Sequence, residues 1–113
     1  MKLRIQTDNI GLSRKSRNAI DGHLRIALGN RSSEFQSAKI VFSTTSDSNN
    51  PIRCRISLRD VEGVSESTEE TARDLDTAME WAIWRLIHSL DRRALRTSSA
   101  PLGAPRSVGP RRR

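Results

Sequence analysis

Arginine, histidine and tryptophan side chains recur between residues 81 and 96 at the three- and four-residue spacing of one helix face. The members of this set, called here the Trp/Arg row, are Trp81, Trp84, Arg85, His88, Arg92 and Arg96. Guanidinium groups pair with phosphates and aromatic rings stack on bases, so the combination is typical of RNA binding. A solvated charged face gives the same spacing, and Trp81 is equally well explained as a ring that covers the edge of a sheet.

A second basic row lies in the first third of the chain. Arg14, Arg17 and Arg25 have helical spacing that Asp21 interrupts, and His23 lies among them. Such a row is by itself more often solvated surface than a binding site, and the sequence leaves open whether His23 is a helix-edge residue or an RNA contact. If the two helices pack side by side, we expect both rows to form one continuous positive surface.

The residue types that perform catalysis or bind metals do not converge anywhere in the sequence. It has no glycine-rich phosphate loop, no nucleophile motif and no closely spaced His or Cys pair. His23 and His88 lie on different predicted helices, so neither is a metal ligand on its own. Cys54 lies on the apolar side of a predicted strand, where we expect a buried core residue. We therefore expect a protein that is not an enzyme and that uses no metal and no cofactor.

The net charge favours a polyanionic partner. The 113 residues include 20 Lys and Arg against 13 Asp and Glu, which gives +7. Residues 97–113 contain four of the arginines and no acid, which leaves 16 basic and 13 acidic residues, or +3, in residues 1–96. The first residues lack the apolar run of a secretory signal, and no segment approaches the roughly 20 apolar residues of a membrane span. We expect a monomeric cytoplasmic protein with no membrane contact and no small-molecule substrate.

Hydrophobic periodicity predicts the elements that position these residues. Alternation predicts strands at 2–7, 35–45 and 52–59, and the hairpin turn at Glu62 and Gly63 predicts a fourth strand over 64–70, whose side chains are nearly all polar. Helical spacing predicts one helix that Ser13 caps and Gly29 ends, and a second helix from Thr71 to Arg96.

The order β-α-β-β-β-α predicts an α+β fold in which two helices pack on one face of a four-stranded sheet. Parallel pairing of the first strand with a later one would use the first helix as the crossover. We expect residues 1–96 to form one domain, and the composition of residues 97–113, rich in Pro, Gly and Arg, predicts a disordered basic tail. The outer side of the third strand is also strongly basic.

The order of elements, the start KLRIQTDNIGLSRKSRNAI and the run DLDTAMEWAIWRLIHSLDRR resemble the ribosome hibernation factors, which include hibernation-promoting factor and the ribosome-associated inhibitor. The second helix of that family opens with an Asp, a large apolar residue and an aromatic, and continues with Leu and basic residues one turn apart. The matching residues are Asp74, Leu75, Ala78, Met79, Glu80, Ile83, Arg85, Leu86, His88, Leu90, Arg92 and Arg96. The chain departs from the family pattern at Asp76, where an aromatic is usual, and at Trp84 and Asp91.

The resemblance, which covers about residues 1–96, implies a translation inhibitor that binds the small ribosomal subunit. It would occupy the decoding channel and block messenger RNA and transfer RNA. Carried over residue by residue, the contacts with 16S-type rRNA would be Arg17, His23, Arg25, Arg85, His88, Arg92 and Arg96. Because 17 residues follow Arg96, we expect a likeness to the short members of the family, which do not pair ribosomes alone.

Two other functions stay open. A general RNA-binding module would recognise duplex shape through helices on a sheet. A protein-interaction regulator would bind a basic protein through the acidic segment from Glu62 to Glu70. Co-sedimentation with small subunits, binding to any long duplex, and binding that survives nuclease treatment distinguish the three functions.

Overall fold

The strands and helices occur in the predicted order. The computed structural model describes residues 1–99, and within them the side chains of all residues except 64–65 and 94–99. The elements are β1 (Lys2–Thr7), α1 (Arg14–Leu28), β2 (Ser37–Thr44), β3 (Ile52–Asp60), β4 (Gly63–Ala72) and α2 (Leu75–Ser99). A short 3₁₀ helix, Gly29–Glu34, which periodicity did not predict, joins α1 to β2. The α+β class and the order β-α-β-β-β-α are confirmed.

The four strands form one mixed sheet in the order β1-β2-β3-β4. β1 pairs with β2 in parallel, and α1 is the crossover between them, as predicted for a first strand that pairs in parallel. β2, β3 and β4 form an antiparallel meander. β1 and β4 are therefore the edge strands, and each has one side without a neighbouring strand.

Both helices cover one face of the sheet and leave the other face open. Alternate residues of β2 and β3 point toward the helices and are buried, namely Ala38, Ile40, Phe42, Cys54, Ile56 and Leu58. Full burial of a large aliphatic or aromatic side chain stabilises a fold by about 1.5–3 kcal/mol. The core placement predicted for Cys54 is confirmed, and burial raises the pKa of its thiol to about 12.

A side chain caps the start of each α-helix. The Ser13 hydroxyl accepts a hydrogen bond of 3.1 Å from the backbone N–H of Ser16, which confirms the predicted cap of α1. At α2 the Asp74 carboxylate accepts a bond of 2.8 Å from the backbone N–H of Thr77, and this bond lowers the pKa of Asp74. The predicted start of α2 at Thr71 is therefore wrong, because Thr71 is still part of β4.

The helices end differently. Gly29, with φ of 57°, closes α1 and donates its backbone N–H to the carbonyl of Arg25, as expected for a residue that tolerates the left-handed region. α2 continues to Ser99, three residues beyond its predicted end at Arg96. The remainder of the predicted disordered tail, residues 100–113, lies outside the described residues.

Candidate nucleic-acid interface

The Trp/Arg row lies on the exposed side of α2. The side chains of Trp81 and Trp84 are 52% and 64% exposed, so neither ring is part of the core. Arg92 is also exposed, while the side chain of Arg96 lies outside the described ones. Large apolar rings that a fold leaves uncovered often mark the place where another molecule binds.

Trp84 and His88 contact each other along the outer surface of α2. Their ring centroids are 4.0 Å apart and the ring planes are tilted by 40°. Both residues are exposed, and Arg92 follows one turn later on the same side of the helix. The outer surface of α2 thus presents two aromatic rings and a cation in sequence, which suits a base followed by a phosphate.

Arg85 differs from the rest of the row because it has a partner inside the fold. Its Nε lies 2.5 Å from Oε2 of Glu70 on β4. Glu70 points toward α2, and its side chain is only 22% exposed. Any phosphate that binds Arg85 would therefore compete with this carboxylate.

Other inward-facing residues of β4 are also bonded to α2. The buried hydroxyl of Thr68 donates a bond of 3.1 Å to the carbonyl of Ala82. The hydroxyl of Ser89 donates a bond of 2.8 Å to Oε2 of Glu66. These contacts, together with the antiparallel pairing to β3, hold β4 in the sheet although its sequence is almost entirely polar.

The acidic residue within the row, Asp91, is also paired. It accepts a charged hydrogen bond from Nη2 of Arg31, which lies in the 3₁₀ helix. The negative charge of Asp91 is thus balanced by a residue from outside α2. Its presence inside the basic row therefore has a structural explanation.

Arg17 and Arg25 of the first basic row face β1. Nη1 of Arg17 donates to the carbonyl of Ile5 at 3.0 Å, and Nη1 of Arg25 donates to the carbonyl of Met1 at 3.2 Å. Nε of Arg25 also lies 2.5 Å from a carboxylate oxygen of Asp21. These bonds satisfy carbonyl groups on the side of β1 that has no neighbouring strand. Two of the predicted RNA contacts therefore have partners within the fold.

The two basic rows do not join, so the expectation of one continuous positive surface is wrong. The groove between α1 and α2 is lined by His23 on one side and by Asp76 and Glu80 on the other. Asp76 and Glu80 are four residues apart and share the flank of α2 that faces α1. Arg85 lies on the opposite flank, toward β4. The sequence gives the spacing along a helix but not which neighbour each flank meets.

The open face of the sheet carries a basic surface that was not among the candidate site residues. Alternation along the strands places six cations on it, namely Lys2, Arg4, Lys39, Arg53, Arg55 and Arg59. Nη2 of Arg55 lies 2.7 Å from Oε1 of Glu69, and Nε of Arg53 lies 3.5 Å from its Oε2. The sequence signal for this surface is the recurrence of basic residues at every second position of a strand.

Within residues 1–99, no cluster of three or more His, Cys, Asp and Glu side chains could hold a metal ion. In the same part of the chain, no helix is long and apolar enough to cross a membrane.

Several solved structures have the same fold. No family model and no curated protein sequence matches this chain. The Protein Y N-terminal domain of Thermus thermophilus is 21% identical, with a TM-score of 0.65 over 82% of this chain and 99% of that domain. A ribosomal subunit interface protein from Coxiella burnetii is 12% identical, with a TM-score of 0.70 over 83% of this chain and 98% of its own. At these identities the likeness establishes the fold.

Proposed function

We propose that this chain is a cytoplasmic, monomeric, ribosome-associated inhibitor of translation that works without catalysis. It binds 16S-type rRNA in the decoding channel of the small subunit and blocks messenger RNA and transfer RNA by occupying their place. The fold supports the proposal, because one structure with this fold is described as a ribosomal subunit interface protein. The resemblance in α2 described above supports it independently.

The observation that carries the proposal is the exposed contact between Trp84 and His88. An aromatic pair on a helix surface gains little from contact with water but can stack on an unpaired base. Arg92 lies one turn away and has no ion-pair partner among the described residues. Its guanidinium is therefore available for a phosphate.

The paired arginines have a smaller part in this proposal. Arg17 and Arg25 are bonded to β1, and Arg85 is bonded to Glu70. A group that is already hydrogen-bonded within the fold gains less from a new partner. We infer that Trp84, His88 and Arg92 contribute more to RNA binding than these three arginines.

The proposal is tested by sedimentation of the purified chain with small ribosomal subunits at low and moderate salt. An equal mass of unrelated duplex RNA serves as the comparison. We expect saturable one-to-one binding to subunits. The logarithm of the binding constant should fall with the logarithm of the salt concentration, with a slope of about 0.7–0.9 per phosphate contacted. Equal binding to subunits and duplex would instead support a general RNA-binding module.

The site is tested with Trp84, His88 and Arg92 replaced together by Ala. We expect this variant to lose co-sedimentation and to keep its fold, because exposed substitutions usually change stability by no more than about 0.5 kcal/mol each. The control replaces exposed Val61 and Arg73 by Ala, which also removes one apolar side chain and one cation but lies off the row. Unchanged sedimentation of the triple variant would overturn the site assignment.

The protein-interaction alternative has less support from the geometry. Of the acidic residues between 62 and 70, Glu66, Glu69 and Glu70 each contact a side chain of the same molecule. A carboxylate engaged in this way presents less negative charge to a basic protein. Binding to ribosomes that survives nuclease treatment would nevertheless favour this alternative.

A further inference from the structure

The open face of the sheet has two halves with different charge balance. In the half that contains the start of β3 and the part of β4 paired with it, Arg53 and Arg55 share the carboxylate of Glu69. The other half contains four cations, called here the sheet cluster, which are Lys2, Arg4, Lys39 and Arg59. Among the described residues, none of these four forms an ion pair.

The register brings the sheet cluster together around a small residue. Arg4 is directly opposite Lys39 across the parallel β1–β2 pair. Ser37 pairs with Lys2 on one side and with Arg59 on the other. Neighbouring strands are about 4.8 Å apart, so the backbones of Lys2 and Arg59 lie roughly 10 Å apart, one on each side of Ser37. The side chains of the sheet cluster line a shallow depression of about 530 Å³.

This arrangement is unfavourable for the isolated molecule. Like charges directly opposite each other on neighbouring strands destabilise a sheet. The other half of the same face avoids this cost by placing Glu69 opposite Arg55. No described residue supplies such an acid to the pair formed by Arg4 and Lys39, so an anion from another molecule would relieve the repulsion.

We propose that the sheet cluster binds the phosphodiester backbone of RNA. Guanidinium and ammonium groups are the side chains that best bind phosphates, and Arg can do so with two parallel hydrogen bonds. The six cations of this face are accompanied by no aromatic ring on the described residues, so the contact is to phosphate and independent of base sequence.

The inference goes beyond the proposed function because it concerns the opposite side of the molecule. The Trp/Arg row lies on α2, which packs on the inner face of the sheet, whereas the sheet cluster lies on the outer face. Two RNA segments can therefore contact the chain at once. The sheet cluster can also bind RNA if the ribosomal role is wrong, since its attraction for phosphate depends only on its charges and on the strand register.

The test compares two variants that each remove two positive charges from the same face. One replaces Arg4 and Lys39 by Gln, and the matched control replaces Arg53 and Arg55 by Gln. The probe is a fluorescent oligouridylate, which has no stable duplex, and its binding is measured by anisotropy over a range of salt. We expect the first variant to reduce the salt slope by about 1.4, that is, about 0.7 for each of two lost phosphate contacts. The control should leave the slope nearly unchanged, because its arginines already have Glu69.

An unchanged slope in the Arg4 and Lys39 variant would overturn the inference. An equal decrease in the control would also overturn it and would leave net charge as the explanation. A thermal melt checks that both variants fold. As a second measurement on the unchanged protein, oligouridylate should shift the amide resonances of Ser37 and Lys39 more than that of Arg55. If the variant in which Trp84, His88 and Arg92 are replaced by Ala loses co-sedimentation with ribosomes but still binds oligouridylate, the two surfaces bind RNA separately. If the unchanged protein binds oligouridylate but not ribosomes, the proposed function alone fails.

Discussion

The two edge strands of the sheet use arginine in opposite ways. Along β1, Arg17 and Arg25 donate to backbone carbonyls, and no carboxylate in the described part of the chain forms an ion pair with the outward-facing Arg4. Along β4, the carboxylates of Glu69 and Glu70 bind arginines from β3 and α2. The sheet therefore has an edge with uncompensated positive charge and an edge where charges cancel. A surface that is available for binding is therefore located by which arginines lack partners and not by how many arginines it contains.

The largest expected effect comes from breaking the core that both edges share. Ile56 and Leu86 are fully buried, one in the central strand β3 and the other in α2. Replacing either by Ala should lower the free energy of unfolding by about 2–5 kcal/mol, because it removes buried methyl groups and leaves a cavity. Urea denaturation followed by circular dichroism measures the change. The exposed substitution Val61→Ala is the control, and an equal loss of stability there would contradict the assignment of the core.

A smaller effect separates arginines that support the fold from those that are available for binding. Arg17→Ala removes the bond to the Ile5 carbonyl and should lower the free energy of unfolding by about 1 kcal/mol. Arg92→Ala removes no ion pair among the described residues and should change stability by less than about 0.5 kcal/mol. We expect the reverse order for RNA affinity. If Arg17→Ala weakened RNA binding more than Arg92→Ala did, the division between the two sets would be wrong.

The smallest effect distinguishes the two helix caps by their response to acid. Asp74 caps α2, and its hydrogen bond with Thr77 lowers its pKa below the ordinary value of 3.8. Its contribution is present in full above that value and is lost as the pH falls through the lower pKa of the folded chain. The stability difference between the protein and Asp74→Ala should therefore shrink on acidification.

Two controls accompany this measurement. Asp74→Asn keeps a capping oxygen without a titrating group, and the Ser13 cap of α1 has no charge to lose. The stability difference between Asp74→Asn and Asp74→Ala should therefore not follow the titration of Asp74, and neither should the difference between Ser13→Ala and the unchanged protein. A Ser13→Ala difference with the same acid dependence as that of Asp74→Ala would show that general acid unfolding, and not the Asp74 cap, causes the effect.

Most of the fold could be predicted because its signals are local. The alternation of Ile52, Cys54, Ile56 and Leu58 predicts β3, and Ser13 before an apolar stripe predicts the start of α1. The beginning of α2 could not be predicted from periodicity alone. Ala72 is buried by the strand and would also fit the stripe of a helix, so only the cap at Asp74 marks the boundary.

The candidate site was predicted less completely because it depends on contacts between distant residues. Helical spacing correctly placed Trp84 and His88 together on an exposed surface. It could not show that Arg85 meets Glu70, fifteen residues earlier in the chain, or that Asp76 faces α1. The sheet cluster depends on the register between strands, which a single sequence does not give.

The parallel pairing of β1 also bears on how the chain assembles. Lys2 pairs with Ser37 across a long crossover, whereas β3 and β4 are joined by a tight turn in which Asp60 pairs with Gly63. Closing a long loop costs more conformational entropy than closing a short one, and contacts of high sequence separation form more slowly. We therefore expect β1 to dock onto a meander that has already formed. An anion that spans Arg4 and Lys39 would fasten this late strand to its neighbour, so that ligand binding and completion of the sheet are thermodynamically linked.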